Sequence, residues 1–133
     1  MSSLDPSCYN LPIRRSERSI GMRKVEAVIR PSRFEDVKKA LEDINIQGMT
    51  VTEVSGCGKQ KGRTMVYRGT PTEISLLPKI KLELVVPDDW LEQVVQVIRE
   101  SALTGQIGDG KIFIYAVEDA VRIRTGERGN GAI

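Results

Sequence analysis

The sequence contains no histidine, which restricts the chemistry that this chain can perform. Without histidine, Ser-His-Asp and Cys-His nucleophile systems, phosphohistidine intermediates and most transition-metal sites are excluded. Cys8 and Cys57 are the two cysteines, and they lack the CxxC spacing of a redox or zinc site. A reducing, cytoplasmic setting is therefore expected. Together these absences favour binding over catalysis, so we expect a protein that is not an enzyme.

Aromatic residues are also scarce, at 5% of the 133 residues, and the formal net charge is only +2. A sheet that binds RNA uses exposed aromatic side chains, and a nucleic-acid partner favours a strongly basic chain. No apolar run approaches the roughly 20 residues that a membrane-spanning helix needs. We therefore expect neither a nucleic-acid partner nor direct membrane insertion.

One folded domain is predicted over residues 22–133, after a flexible N-terminal extension at 1–21. The first 21 residues mix serine, proline and charged residues with no helical or strand period. The remainder is long enough for a single hydrophobic core.

Apolar periodicity predicts the elements of that domain. A period of two indicates strands at 24–30, 49–54, 79–86, 112–117 and 121–125. A period of 3.6 indicates a helix that begins at a capping box, Ser32 and Glu35, and stops at Gly48. A second helix begins at Pro87. The apolar stripes of the two helices comprise Phe34, Val37, Leu41 and Ile44, then Leu91, Val94, Val95, Ile98 and Ala102. The order predicts an α+β fold, the ferredoxin-like βαββαβ sandwich.

Two helices can bury only one face of such a sheet. The opposite face carries apolar or long side chains, namely Val28, Val85, Phe113, Tyr115 and Val117. In a chain this short, another subunit is the simplest cover, so we expect an oligomer.

The segment TGQIGDGK at 104–111 points to a ligand. Three glycines within six positions let the backbone fold tightly and present its N–H groups at close range. Lys111 ends this loop, and Arg122 and Arg124 share one face of the last predicted strand. Amide groups with three converging cations suit a polyphosphate, so we expect a nucleotide-binding protein.

A long stretch without period separates the second and third predicted strands, from Gly56 to Leu77. Connections of this length in a compact domain are usually functional or disordered. Glycines and cations alternate at its start, but the GxGxxxG spacing matches neither the P-loop nor the dinucleotide fingerprint. Alone it is a weak signal for an anion site.

These motifs together resemble the PII signal transduction family, trimeric sensors of nitrogen, carbon and energy status. The resemblance extends from Met22 to Ile133. It rests on KVEAVIRP at 24–31, GMTVTEV at 48–54, GKQKG at 58–62, YRG at 67–69, LPKIK at 77–81, TGQIGDGKIF at 104–113 and IRTGE at 123–127. It implies a homotrimer with a T-loop at about 57–77, a B-loop at about 103–111 and a C-terminal loop at about 122–133.

The resemblance also implies roles for single residues. ATP or ADP would bind in clefts between subunits, with Arg122 and Arg124 reaching the phosphates from the neighbouring subunit. Gln60 would ligate Mg²⁺, and Lys79 would pair with the distal carboxylate of 2-oxoglutarate bound beside MgATP. The implied nucleotide set is Thr50, Gly58, Lys59, Gln60, Glu83, Val85, Gly108, Asp109, Gly110, Lys111, Arg122 and Arg124, and the 2-oxoglutarate set is Gln60, Lys61, Gly62 and Lys79.

By the same resemblance the protein would act as a switch. MgATP with 2-oxoglutarate would favour one T-loop shape and ADP another. The loop would dock into an ammonium channel or a metabolic enzyme. The tip departs from the family pattern, because Thr72 stands where many members carry a uridylylated tyrosine. Thr70 stands at a serine that some members phosphorylate and is a possible modification site. These departures indicate a divergent member.

Other interpretations stay open from the residues alone. Arg122 and Arg124, if isolated, are typical of a solvated strand face. The partner of Glu83 is either a ribose hydroxyl or a cation. That cation is either Lys81 or one on a neighbouring strand. The whole chain is alternatively a small phosphate-handling hydrolase of ferredoxin-like fold, or a PII-like protein that senses a different effector.

Overall fold

The computed structural model of this chain describes residues 21–57, 64–67, 70–73 and 76–133. They form strands β1 (Met22–Ile29), β2 (Thr50–Cys57), β3 (Thr64–Tyr67), β4 (Thr70–Glu73), β5 (Leu76–Pro87) and β6 (Gly110–Val117). Helix α1 is Phe34–Asp43 and helix α2 is Leu91–Ala102, and 3-10 turns cover Pro31–Arg33, Asp88–Trp90 and Gly129–Ala132. Residues 1–20 of the extension predicted at 1–21 lie outside the described residues.

The main sheet has four strands in the order β2-β5-β1-β6, and every neighbouring pair is antiparallel. Non-consecutive neighbours arise because each helix connects two strands that do not pair with one another. This is the ferredoxin-like arrangement, so the predicted fold class is confirmed. None of the helices in the described ranges is long and apolar enough to cross a membrane.

The core lies between the two helices and one face of the sheet. In β1 and β5 the alternate residues are buried, as a half-buried strand requires. The predicted stripe of α1 packs against them through Val37 and Leu41, and that of α2 through Val94 and Ile98. The buried strand residues are Met22, Val25, Ala27, Ile29, Leu82, Leu84 and Val86. Both predicted helices are therefore confirmed.

The predicted ends of the first helix are wrong. Its start has no side-chain capping hydrogen bond, and Pro31 instead begins a 3-10 turn that leads into α1. Proline suits this position because its fixed φ is already helical and it has no N–H to satisfy. The helix ends at Asp43, five residues before Gly48. Asn45 takes the left-handed conformation, with φ of 68°, which asparagine tolerates better than most residues.

The predicted last strand at 121–125 is also wrong. Residues 123–125 form a turn, and Val121 makes only an isolated antiparallel bridge with Arg128. The Arg122 N–H donates to the Glu127 carbonyl at 2.8 Å, and the Gly126 N–H donates to the Arg122 carbonyl at 2.7 Å. The backbone of this segment therefore pairs with itself, and the two arginines do not alternate along a ladder.

Two short strands within the long connection were missed. Strands β3 and β4 pair in antiparallel register, with Thr64 opposite Glu73 and Tyr67 opposite Thr70. Four residues are too few to display a clear period of two, so neither strand was detectable from the apolar pattern.

The second face of the sheet is open in the single chain. Phe113 and Tyr115 on β6 are 45% and 46% exposed there. Lys24 lies among them, with its Nζ 5.2 Å from the centre of the Tyr115 ring. Phe113 and Tyr115 thus expose aromatic surface on this face, where the subunit contact stays a prediction.

Candidate functional site

A cleft of about 770 Å³ lies at one end of the open sheet face. The loop between α2 and β6 forms one wall, and the ends of β1, β2 and β5 form the other. Its lining residues are Val28, Gly56, Cys57, Leu77, Lys79, Gln106, Ile107, Gly108, Asp109, Gly110, Lys111 and Phe113. Five of the predicted site residues, Lys79 and the run from Gly108 to Lys111, therefore meet in one place.

The three glycines of the loop adopt backbone conformations that favour glycine. Gly105, Gly108 and Gly110 have φ angles of 87°, 102° and 107°. Other residues rarely adopt such angles, and they permit tight reversals that turn N–H groups towards a bound anion. A Cβ on Gly110 would lie 1.8 Å from the Val28 carbonyl oxygen. At this position only glycine fits, because the loop returns directly against β1.

Lys79 bridges the two walls of the cleft. It belongs to β5, and its Nζ donates to the carbonyl oxygen of Gly108 at 2.6 Å. Partial burial and the nearby Arg30 guanidinium hold the pKa of Lys79 below its usual value, while Asp109 acts in the opposite direction. The ammonium group stays at the mouth of the loop, where an anionic ligand would meet it.

Asp109 closes the loop on itself. Its carboxylate accepts hydrogen bonds from the N–H groups of Thr104 and Gly105, at 2.9 and 2.8 Å, and from the Thr104 hydroxyl. These donors, with the Thr104 hydroxyl foremost and Arg30 also contributing, hold the pKa of Asp109 well below its usual range despite an opposing effect of burial. The side chain therefore carries a full negative charge, and its oxygens accept hydrogen bonds from the loop.

Arg30, directly after β1, contacts the same loop from the other side. Its Nε donates to Asp109 Oδ1 at 3.0 Å, and its Nη2 donates to the Ile107 carbonyl at 2.7 Å. Arg30 and Lys79 thus lie near one carboxylate, that of Asp109, and Lys79 and Lys111 line the cleft. The net positive charge suits a polyphosphate or a polycarboxylate.

The described residues include no group of three or more acidic, cysteine or histidine side chains that could hold a metal ion. The predicted magnesium ligand Gln60 lies outside the described ranges, as do Gly58, Lys59, Lys61 and Gly62. Thr70 begins β4. Mg²⁺ commonly binds through substrate phosphates and water, so it needs few protein ligands. The predicted magnesium ion is therefore compatible with described ranges that contain no such group.

Three more of the predicted nucleotide residues, Thr50, Glu83 and Val85, lie further along the open face and do not line the cleft. Thr50 on β2 pairs directly with Glu83 on β5, and Val85 pairs with Lys24 on β1. The Lys24 Nζ lies 2.6 Å from Glu83 Oε2, and this ion pair raises the pKa of Lys24 and lowers that of Glu83. The cross-strand cation left open for Glu83 is therefore Lys24.

Arg122 and Arg124 lie in the C-terminal turn, away from the cleft of their own chain. Arg122 Nη1 lies 3.1 Å from Glu127 Oε1, and the Thr125 hydroxyl donates to the same oxygen at 2.9 Å. Ile123, which lies between Arg122 and Arg124 in the sequence, is 99% exposed. This geometry leaves residues 123–125 exposed on the surface of the single chain.

Sequence reasoning missed the roles of Arg30 and Thr104 in organising the loop. Arg30 is 79 positions from its carboxylate partner in the chain, and no local pattern links the two. Thr104 offered a weak signal, since a hydroxyl residue at the end of a helix often bonds to nearby backbone.

Comparison with known proteins agrees with this picture. The sequence profile of the family described as "Nitrogen regulatory protein P-II" matches residues 22–127. The chain is 54% identical over 112 residues to "Nitrogen regulatory protein P-II" of Rhodospirillum rubrum, which covers 84% of this chain and 100% of that protein. "Nitrogen regulatory protein P-II 1" of Escherichia coli is 51% identical over the same coverage.

Among solved structures, that of Arabidopsis thaliana PII bound to citrate is similar, with a TM-score of 0.70 and 43% sequence identity. The match covers 85% of this chain and 92% of that chain. The relatives are regulatory proteins rather than enzymes by name, as expected here from the missing histidine. This chain belongs to the P-II family of nitrogen regulatory proteins.

Proposed function

We propose that this regulator binds the polyphosphate of ATP or ADP in the described cleft. The observation that carries the proposal is the loop with three left-handed glycines, Gly105, Gly108 and Gly110, flanked by Lys79 and Lys111. Backbone N–H groups at close range recognise phosphate oxygens, and the two ammonium groups offset their charge.

The complete site needs a second copy of the chain. Its own Arg122 and Arg124 do not line the cleft, and the exposed face with Phe113 and Tyr115 offers a contact surface. A closed ring of three copies would place the C-terminal turn of one subunit at the cleft of the next. The two arginines would then reach the phosphates in trans.

The cleft is suited to control the T-loop. Gly56 lies just before that loop, Cys57 begins it and Leu77 ends it, and all three line the cleft. A ligand there contacts both ends of the loop, so its differential affinity for two loop shapes shifts their populations. We propose MgATP with 2-oxoglutarate as one signal, ADP as the other, and an ammonium channel or metabolic enzyme as the target.

Calorimetric titration of MgATP, with and without 2-oxoglutarate, tests the proposal. The expected result is that MgATP binds in the absence of the keto acid and that 2-oxoglutarate binds only when MgATP is present. Failure to bind MgATP would refute the proposal.

A different carboxylate is the second candidate effector. The Arabidopsis relative is bound to citrate, and the Lys79 ammonium with Arg30 nearby would accept any di- or tricarboxylate. A parallel titration with citrate decides between them. Citrate binding that exceeds 2-oxoglutarate binding would favour this second effector.

A further inference from the structure

Arg30 is not among the residues that line the cleft, but it contacts two residues of the loop that do, Ile107 and Asp109. Arg30 uses two nitrogens of one guanidinium, Nε on Asp109 and Nη2 on the Ile107 carbonyl. Its side chain is 22% exposed, and that of Asp109 is 21% exposed. We infer that Arg30 is a positioning residue that holds the 104–110 loop in its ligand-ready shape before any nucleotide binds. The inference rests on the proposed nucleotide site.

The position of Arg30 in the fold supports this role. It follows the last residue of β1 and precedes Pro31, whose fixed φ starts the next turn. The backbone that carries the guanidinium is therefore held by the sheet on one side and by a rigid turn on the other. The N–H donors of a guanidinium lie in one plane at fixed angles, so they restrain both the direction and the distance of the groups that they bind.

Asp109 extends the hold to the rest of the loop. Its carboxylate binds the N–H groups of Thr104 and Gly105, and the Thr104 hydroxyl in turn accepts from the Gln106 N–H at 3.2 Å. Arg30 adds hydrogen bonds to the Ile107 carbonyl and to Asp109 Oδ1. One network thus spans the loop from residue 104 to residue 109, and Arg30 anchors it to the sheet.

Arg30 also balances charge. The carboxylate of Asp109 lies in the wall of a cleft proposed to bind phosphates, where an uncompensated negative charge would repel them. The adjacent guanidinium offsets that charge. Loss of Arg30 would therefore loosen the loop and expose the ligand to Asp109.

The test compares Arg30→Gln with Arg33→Gln in the full chain. Arg33 is a matched control, because its Nε and Nη2 also donate to a carbonyl, that of Ser101, at 3.0 and 2.8 Å, outside the cleft. Each change removes one positive charge, and the two positions are three residues apart in the sequence. Two measurements are made, the dissociation constant for MgATP and hydrogen exchange of the 104–110 amides without ligand.

For Arg30→Gln we expect faster exchange in the loop and MgATP binding weakened about tenfold or more, as for the loss of charged hydrogen bonds. Arg33→Gln should change neither value. Arg30→Lys restores the charge without the planar donors, so its affinity should recover in part while the loop still exchanges fast. Thermal unfolding of each variant shows that the fold is retained.

Distinct outcomes separate the two claims. If the wild-type chain does not bind MgATP, the proposed function is refuted, and hydrogen exchange still decides the role of Arg30. Unchanged loop exchange in Arg30→Gln would overturn the positioning role, even with weakened affinity, since Arg30 would then act only as a ligand contact. Equal effects of Arg30→Gln and Arg33→Gln would overturn it as well.

Discussion

Gly110 lies against Val28 so closely that a Cβ on Gly110 would stand 1.8 Å from the Val28 carbonyl oxygen. The obstacle is backbone of a central strand, which cannot move aside without disturbing the pairing of β1 and β6. We therefore expect Gly110→Ala to lower the free energy of unfolding by about 3 kcal/mol, from the clash and the strained φ together.

Denaturant unfolding of Gly110→Ala measures this loss, and calorimetry should show that MgATP binding is abolished. Gly48→Ala is the matched control, because a Cβ at Gly48 meets nothing within 4 Å. Unchanged MgATP affinity in Gly110→Ala would contradict the close approach as a requirement of the site.

Lys79 should matter to both ligands. Its hydrogen bond to the Gly108 carbonyl supports the loop, and its charge lies at the cleft. We expect Lys79→Met to abolish 2-oxoglutarate binding and to weaken MgATP about fivefold, the effect of one hydrogen bond. Calorimetry of both ligands measures the two effects.

The control for Lys79→Met is Lys81→Met, which removes the same charge from the same face of β5 but outside the cleft. Loss of 2-oxoglutarate binding in both variants would show that general charge, rather than Lys79, attracts the effector.

The Lys24–Glu83 pair predicts a specific dependence of stability on pH. The lowered pKa of Glu83 means that its contribution is present above the unfolded-state pKa of about 4.3 and is lost as pH falls through the folded-state value. The raised pKa of Lys24 means that its contribution is present below about 10.4 and is lost as pH rises through the folded-state value.

The double variant Lys24→Met/Glu83→Gln should therefore have flatter acid and alkaline limbs than the wild-type chain in urea unfolding from pH 3 to 11. Glu42→Gln, an exposed change on α1, should leave the curve unaltered. Identical curves for the double variant and the wild-type chain would remove the pair from the energetics of the sheet.

Subunit mixing tests whether the site forms in trans. Lys111→Ala and Arg122→Ala should each abolish MgATP binding alone. After joint unfolding and refolding of equal amounts, about a quarter of the sites should regain both residues by random assembly of a symmetric ring. Calorimetry measures the active fraction.

A refolded mixture of wild-type chain with the double variant Lys111→Ala/Arg122→Ala is the control for mixing. It should retain about a quarter of its sites if the two residues come from different subunits, and half if they come from one. The fraction of sites recovered thus distinguishes the two assemblies.

The sequence by itself determined the sheet and both helices, because their periods of 2 and 3.6 depend only on which side chains must be buried. It also indicated the loop, since glycines at 105, 108 and 110 predicted a tightly folded backbone, and all three have left-handed φ angles in the structure. Helix ends were harder. Proline and asparagine took the places assigned to a serine cap and a glycine stop, because several residue types can begin or end a helix.

Only the tertiary structure decided how the loop is held. Arg30 meets Asp109 across 79 positions of chain, and Lys79 meets Gly108 across 29, because strand order brings the ends of β1 and β5 to one cleft. The C-terminal segment likewise became a turn rather than a strand, since hydrogen bonds between Arg122, Gly126 and Glu127 satisfy its backbone locally. Side-chain pattern specifies which face is buried, whereas contacts between distant polar groups depend on the packed fold.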